Sequence, residues 1–182
     1  MTPVPAQGSR RQGAGGLSAT ASGSCTDGGA YAEYVCLPAS DFVAVPDGVD
    51  PAAAVCLVAN YITAANMMHR IAKVQAGERV LVHGAAGGVG TALLELGRSA
   101  GLTIYGTASK PKHGVVEALG ATPIDYRNED FVERIRELTG DGVDVVFDPI
   151  GGARQLRRSY RALRRGGRLV WVMHRRHIVL GV

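Results

Sequence analysis

Of the three cysteines, Cys25, Cys36 and Cys56, no two are spaced as CxxC and none is joined to histidines at metal-ligand intervals. That excludes a tetrahedral zinc site or a disulfide framework read from spacing, and reduced structural thiols in a cytoplasmic protein are expected instead. No apolar run reaches the length of a bilayer-spanning segment, and the N-terminal stretch lacks the hydrophobic core of a signal peptide, so no membrane partner is expected. A Ser/His/Asp nucleophile cannot be assembled, because Ser109 and the histidines His69, His83, His113, His174 and His177 stand in no such motif. Glu129, Glu133 and Glu137 are spaced as one solvated helix face, not as paired catalytic carboxylates. The residues alone name no catalytic side chain and no metal ligand.

What is present is the composition of a globular chain. A hydrophobic fraction of 46%, a charged fraction of 20% and a length of 182 residues allow one principal domain, with 25 glycines marking many turns and close backbone approaches. The net charge of +4 is unevenly placed, since nine arginines from Arg154 to Arg176 crowd the C-terminal part. Helical spacing sets Arg154, Arg158, Arg161 and Arg165 on one face; the ordinary reading is a solvated face, and its alternative is a nucleic acid or another polyphosphate partner.

Residues 1–29 are built from Gly, Ser, Ala, Thr, Pro, Gln and Arg with few large apolar side chains, and a disordered low-complexity arm is expected there. Residues 30–48 hold two short strands, Tyr31–Leu37 and Phe42–Val45. Residues 49–76 read as connecting helices, the first opened by Asp50 as cap and Pro51 in the first turn and running through Val58, the second ending at Ala72. Over residues 77–182 strand and helix alternate: strands begin at Arg79, Thr103, Pro123, Val143 and Arg168, with helices between them. Five apolar strands joined by helical crossovers make a doubly wound parallel α/β sheet.

The strand Val80–His83 runs directly into Gly84-Ala85-Ala86-Gly87-Gly88-Val89-Gly90 and then into a helix, the context in which small residues let backbone N–H groups approach a pyrophosphate at a helix N-terminus. Ala85 replaces the first glycine of GxGxxG, while Gly87 and Gly90 keep the second and third. A dinucleotide is therefore expected, a ligand-free tight turn being the alternative. The second strand ends in Thr107-Ala108-Ser109-Lys110-Pro111-Lys112, without the acid that holds the ribose hydroxyls of NAD. A hydroxyl at Ser109 with cations at Lys110 and Lys112 suits a 2′-phosphate, which favours NADP over NAD; the alternative is lysines exposed at a helix start.

Together with Gly29–Val35, Gly120-Ala121, Ile124-Asp125-Tyr126 and Val143–Gly152, that turn resembles the NADPH:quinone oxidoreductase branch of the zinc-free medium-chain dehydrogenases/reductases, over about four-fifths of the chain. The resemblance implies a Rossmann domain with a remnant of a GroES-like β domain at 30–48, and hydride transfer from NADPH to a quinone or enone. It places Thr63 beside the nicotinamide, Ala86, Gly87, Gly88 and Val89 at the pyrophosphate, and Ser109, Lys112 and Tyr126 near the 2′-phosphate. Thr63 is equally readable as a helix cap, and Tyr126 as a side chain packing at a strand end. Relative to that family the chain reads as truncated at both ends, with the Rossmann domain lacking its last strand. The edge strand so exposed makes a homo-oligomer an expected partner state. The alternatives are a truncated dinucleotide-binding module without turnover and a fragment of a polyketide-type enoyl reductase.

Overall fold

The computed structural model describes residues 16–18, 42–173 and 176–181. These fall into two units, residues 1–58 and 59–182.

In the first unit, strand β1 (Gly16–Ser18) pairs antiparallel with β2 (Phe42–Ala44), from Gly16 opposite Ala44 to Ser18 opposite Phe42. The arm expected to be disordered over residues 1–29 thus contributes a strand, because backbone pairing satisfies its N–H and C=O groups whatever its side chains. The rest of that arm and the expected strand Tyr31–Leu37 lie outside the described residues. Helix α1 (Pro51–Cys56) starts at Asp50, whose carboxylate accepts from the Ala52 N–H at 3.0 Å, with Pro51 where no N–H is needed.

The sequence reading of two separate helices is corrected. Helical backbone runs through Pro51–Ala72, with π-helical turns at Leu57–Tyr61 and Asn66–Ala72 on either side of α2 (Ile62–Ala65). No glycine or proline interrupts residues 52–72, so nothing stops the helix. By length and composition this helix is long and apolar enough to cross a bilayer, which a search for one unbroken apolar run did not anticipate. In the second unit Ala64, Met67, Met68 and Ala72 are instead buried in a core shared with the sheet. Those contacts place the unit boundary after Val58, inside the stretch 49–76 that reads as one connecting segment.

The second unit is a six-stranded sheet of β3 (Arg79–Val82), β4 (Thr103–Ala108), β5 (Thr122–Asp125), β6 (Val143–Asp148), β7 (Leu163–Met173) and β8 (Arg176–Gly181), in the order β5-β4-β3-β6-β7-β8. The first five are parallel. Helices α3 (Gly88–Ser99), α4 (His113–Ala118), α5 (Phe131–Thr139) and α6 (Ala153–Arg161) connect them. Because successive strand residues point to opposite faces, Val80 and Val82 pack with Leu93 and Leu94 of α3, whereas Leu81 between them packs with Phe131 and Ile135 of α5. Both faces are covered, as in a doubly wound Rossmann sheet. Burial of each such side chain contributes about 1.5–3 kcal/mol. The strand order reverses between β3 and β6, and a doubly wound sheet opens its crevice there, beyond the carboxyl ends of the strands.

Two sequence expectations fail at the C-terminal side. A sheet ending at an exposed β7 was expected, but β8 pairs antiparallel with β7 from Arg168 opposite Gly181 to Met173 opposite Arg176. The short apolar run Ile178–Leu180 suffices for a strand when a tight hairpin removes the need for a crossover. The helix expected to carry Arg154, Arg158, Arg161 and Arg165 stops at Arg161, so Arg165 lies on β7. That strand is held close to its neighbours, since a Cβ on Gly167 would lie 2.9 Å from Arg164 O and 3.1 Å from Asp144 O. Three of the arginines are engaged internally, Arg158 with Asp130, Arg164 with Asp144 and Arg168 with Glu78.

Candidate functional site

At the carboxyl end of β3 the chain turns through Gly84 at φ +62°, and the Gly87 N–H closes the turn on Gly84 O at 2.9 Å. One turn into α3, Gly90 lies so near this turn that a Cβ would sit 2.2 Å from Gly84 O and 2.8 Å from Ala85 Cα. Only glycine permits that packing of helix on strand. At Gly87 an added Cβ would stand 3.2 Å from Gly84 O, and at Gly88 it would meet the Asn60 amide at 2.7 Å. The turn is thus a cradle lined by backbone at the positive end of a 12-residue helix, which suits a phosphate.

Beside the turn opens a cleft of about 450 Å³. The β3 turn contributes His83, Gly84, Ala86 and Gly87 to it; β4 and its following loop contribute Thr107, Ala108, Ser109 and Lys112; Tyr126 follows β5. Phe131, Ile150, Gln155 and Arg158 close the far wall. The Arg158 guanidinium is held 2.9 Å from Asp130 and stacks 4.5 Å over the Phe131 ring.

Of the residues singled out in the sequence, the structure brings Ala86, Gly87, Ser109, Lys112 and Tyr126 to this one cleft. Gly88 and Val89 lie in the first turn of α3, outside its lining. Thr63 is not brought there either: its hydroxyl donates to Ala59 O of its own helix at 2.7 Å, a bond back within the helix and not the capping role that was its alternative. Lys110 also stays outside the lining, whereas Lys112, two residues on in the 3₁₀ turn Lys110–Lys112, lies in it.

Sequence reasoning missed the polar floor of the cleft. His83, Thr107, Asp148 and Ser159 are all buried. His83 Nδ1 lies 3.0 Å from Thr107 Oγ1 and its Nε2 lies 3.0 Å from Ser159 Oγ, which in turn donates to Asp148 Oδ2 at 3.2 Å. Burial holds the His83 imidazole neutral, its pKa pushed down to about 4 even though Asp148 pulls it upward, with Arg158 adding to the depression. The signal available in the sequence was a polar residue closing an otherwise apolar strand, His83 after Val82 and Asp148 after Phe147.

A glycine-turn cradle at a helix N-terminus, a crevice where the strand order reverses, and a hydroxyl with a cation beyond the second strand define a dinucleotide-binding Rossmann domain. The zinc-binding dehydrogenase family matches residues 88–173. The rat (Rattus norvegicus) synaptic vesicle membrane protein VAT-1 homolog is 39% identical over 144 residues, 78% of this chain and 35% of its own length. The quinone oxidoreductase of Pseudomonas syringae pv. tomato superposes with a TM-score of 0.66 at 34% identity, over 73% of this chain and 42% of that one. Mycobacterial Rv1454c, solved with NADPH, gives 0.70 at 33% identity, over 78% and 44%. The CurK and JamJ enoyl reductases are similar as well. Over the stretch they share, the chain is similar to the quinone- and enoyl-reductase-like medium-chain dehydrogenases/reductases. It spans about a third of the length of the curated relatives it matches.

Proposed function

We propose that this chain binds NADPH in the cleft between β3 and β6 and serves its transfer of hydride to a quinone or enone. The observation that carries the cofactor is the wall formed by Ser109, Lys112 and Tyr126 beyond a β4 that ends without a carboxylate. Lys112 and the Ser109 hydroxyl answer a 2′-phosphate with charge-assisted hydrogen bonds, and a ribose with only hydroxyls has no acid to hold it. Gly87 and the first turn of α3 hold the pyrophosphate, and the bare Gly90 lets α3 pack close enough on the turn to present its N-terminus there. The bound nicotinamide supplies the hydride; the chain's part is to bind, orient and exclude water. The same likeness to a quinone oxidoreductase and to enoyl reductases supports an activated double bond as acceptor.

The reaction is proposed as zinc-free because the cysteines and histidines of the sequence stand at no metal-ligand spacing. The test is a titration of the chain with NADPH and with NADH, followed by turnover of a small quinone and of an enoyl thioester on the same sample, with metal analysis. Tighter NADPH binding, reduction of one acceptor and no stoichiometric zinc are expected. Equal affinities overturn the cofactor assignment, and one zinc per chain overturns the metal-free chemistry.

A further inference from the structure

With Asp148 accepting as a carboxylate, one wiring satisfies the buried side chains beneath the cleft. Ser159 has a single hydroxyl proton and gives it to Asp148 Oδ2, so its oxygen must accept from His83 Nε2, which fixes the imidazole proton on that nitrogen. His83 Nδ1 then carries no proton and accepts the Thr107 hydroxyl, while Thr107 Oγ1 accepts the Gly84 N–H at 3.2 Å. At the other end Asp148 Oδ1 accepts the N–H groups of Ile150 at 3.0 Å and Gly151 at 2.8 Å. Every donor points toward the Asp148 carboxylate, and none of the four side chains is more than 2% exposed. Such a chain polarises along its length, so each bond strengthens the next.

Its two ends grip the two turns that flank the switch point, Gly84 on the phosphate cradle and Ile150-Gly151 on the opposite wall. We propose that Thr107, His83, Ser159 and Asp148 act as one positioning network that holds these two turns at the spacing the cofactor needs. The inference rests on the NADPH reading above. The groups facing His83 are consistent with a neutral ring: Phe131 packs edge-on with centroids 4.7 Å apart, Arg158 lies over that same phenyl ring at 4.5 Å, and Asp148 is reached through Ser159. A charged imidazole would turn Nδ1 into a donor and leave the Thr107 hydroxyl without its acceptor.

The experiment titrates the full chain with NADPH as wild type, Thr107→Val, Ser159→Ala, the double variant and Ser159→Thr, with urea unfolding of each sample and ¹⁵N NMR of the histidine rings from pH 8 to 5. Each single truncation is expected to weaken NADPH about tenfold, and the double variant to be no more than about threefold worse than the weaker single, because both cut the same chain. Ser159→Thr, which keeps the hydroxyl, is expected within about threefold of wild type. His83 is expected as the neutral Nε2–H tautomer throughout. Truncations that lower the urea midpoint but leave NADPH affinity unchanged reduce the network to a packing role and overturn the proposal. So do additive losses near a hundredfold in the double variant, or a His83 that titrates near its ordinary value. A wild-type chain that binds no NADPH overturns the cofactor reading itself, and the tautomer measurement, made without cofactor and on wild type alone, still decides the wiring.

Discussion

Gly151 lies so close under Trp171 that a Cβ on the glycine would stand 2.5 Å from the indole Nε1. Gly151 also adopts φ +74°, which a side chain resists. Trp171 is the sole tryptophan of the chain, so its emission reports on the turn that forms one wall of the cofactor cleft. Gly151→Ala is expected to shift tryptophan emission and to lower unfolding stability by about 1–3 kcal/mol from strain and overpacking together. An unchanged spectrum with an unchanged urea midpoint would show that the turn relaxes freely.

Lys110 and Lys112 look equivalent in the sequence, but only Lys112 lines the cleft. Lys112→Ala is expected to weaken NADPH by about 1–3 kcal/mol, the range for a charge-assisted hydrogen bond, with NADH affinity unchanged. Lys110→Ala is expected to leave both within the error of a fluorescence titration. Equal losses in the two variants would place the 2′-phosphate elsewhere.

The glycines of the turn differ in what surrounds them. Gly90→Ala would thrust a methyl into Gly84 O at 2.2 Å, backbone that cannot move without opening the turn, whereas at Gly88 the obstacle is the Asn60 side-chain amide at 2.7 Å. NADPH binding is expected to be lost in Gly90→Ala and retained, weakened by about 1 kcal/mol at most, in Gly88→Ala, since a side chain can swing aside. Retention in both, read by equilibrium titration of folded protein, refutes the close-packing account of Gly90.

His83 sets an acid limit. Its imidazole is at about 4 in the folded chain against an ordinary 6.5, so the unfolded chain takes up a proton first and stability falls as pH drops from 6.5 toward 4. The total loss from this group is on the order of 3 kcal/mol. Asp144 and Glu78 act in a lower window. Burial resists their charge, but the Arg79 N–H and Arg164 for Asp144, and Arg168 for Glu78, carry both below the ordinary carboxylate range, and the stability they lend is lost as pH falls below about 4. Urea midpoints from pH 8 to 3 are expected to decline in two stages, with the upper stage shrunken in His83→Gln. A single decline below pH 4 in wild type would contradict the burial of a neutral His83.

The alternation of strands and helices from Arg79 onward was legible because each strand is apolar, each helix is long enough to cross back, and glycine marks most of the turns. The cradle at Gly84–Gly90 was legible for the same reason: small residues in a row between a strand and a helix have few other uses. Thr63 was placed by likeness to a family, but its own helix carbonyl accepts its hydroxyl, a local bond that no comparison of motifs can weigh. The partnership of His83 with Ser159 joins residues 76 apart through the packing of α6 on the sheet, and neither residue stands in a motif. Arg165 left its helix face for a strand held close to its neighbours, and β8 closed the sheet through a hairpin turning back on β7, and both arrangements are tertiary.

The hairpin also decides where the chain leads. Since β7 runs parallel to β6, its carboxyl end lies on the side of the cleft, and β8, reversed, carries the backbone away to Gly181 beside Arg168 at the opposite end of the sheet. Anything tethered beyond Gly181, a fluorophore, a surface anchor or a fused protein, would therefore hang from the far end of the sheet and leave the cofactor entrance open. The chain can be immobilised by that end and still be titrated.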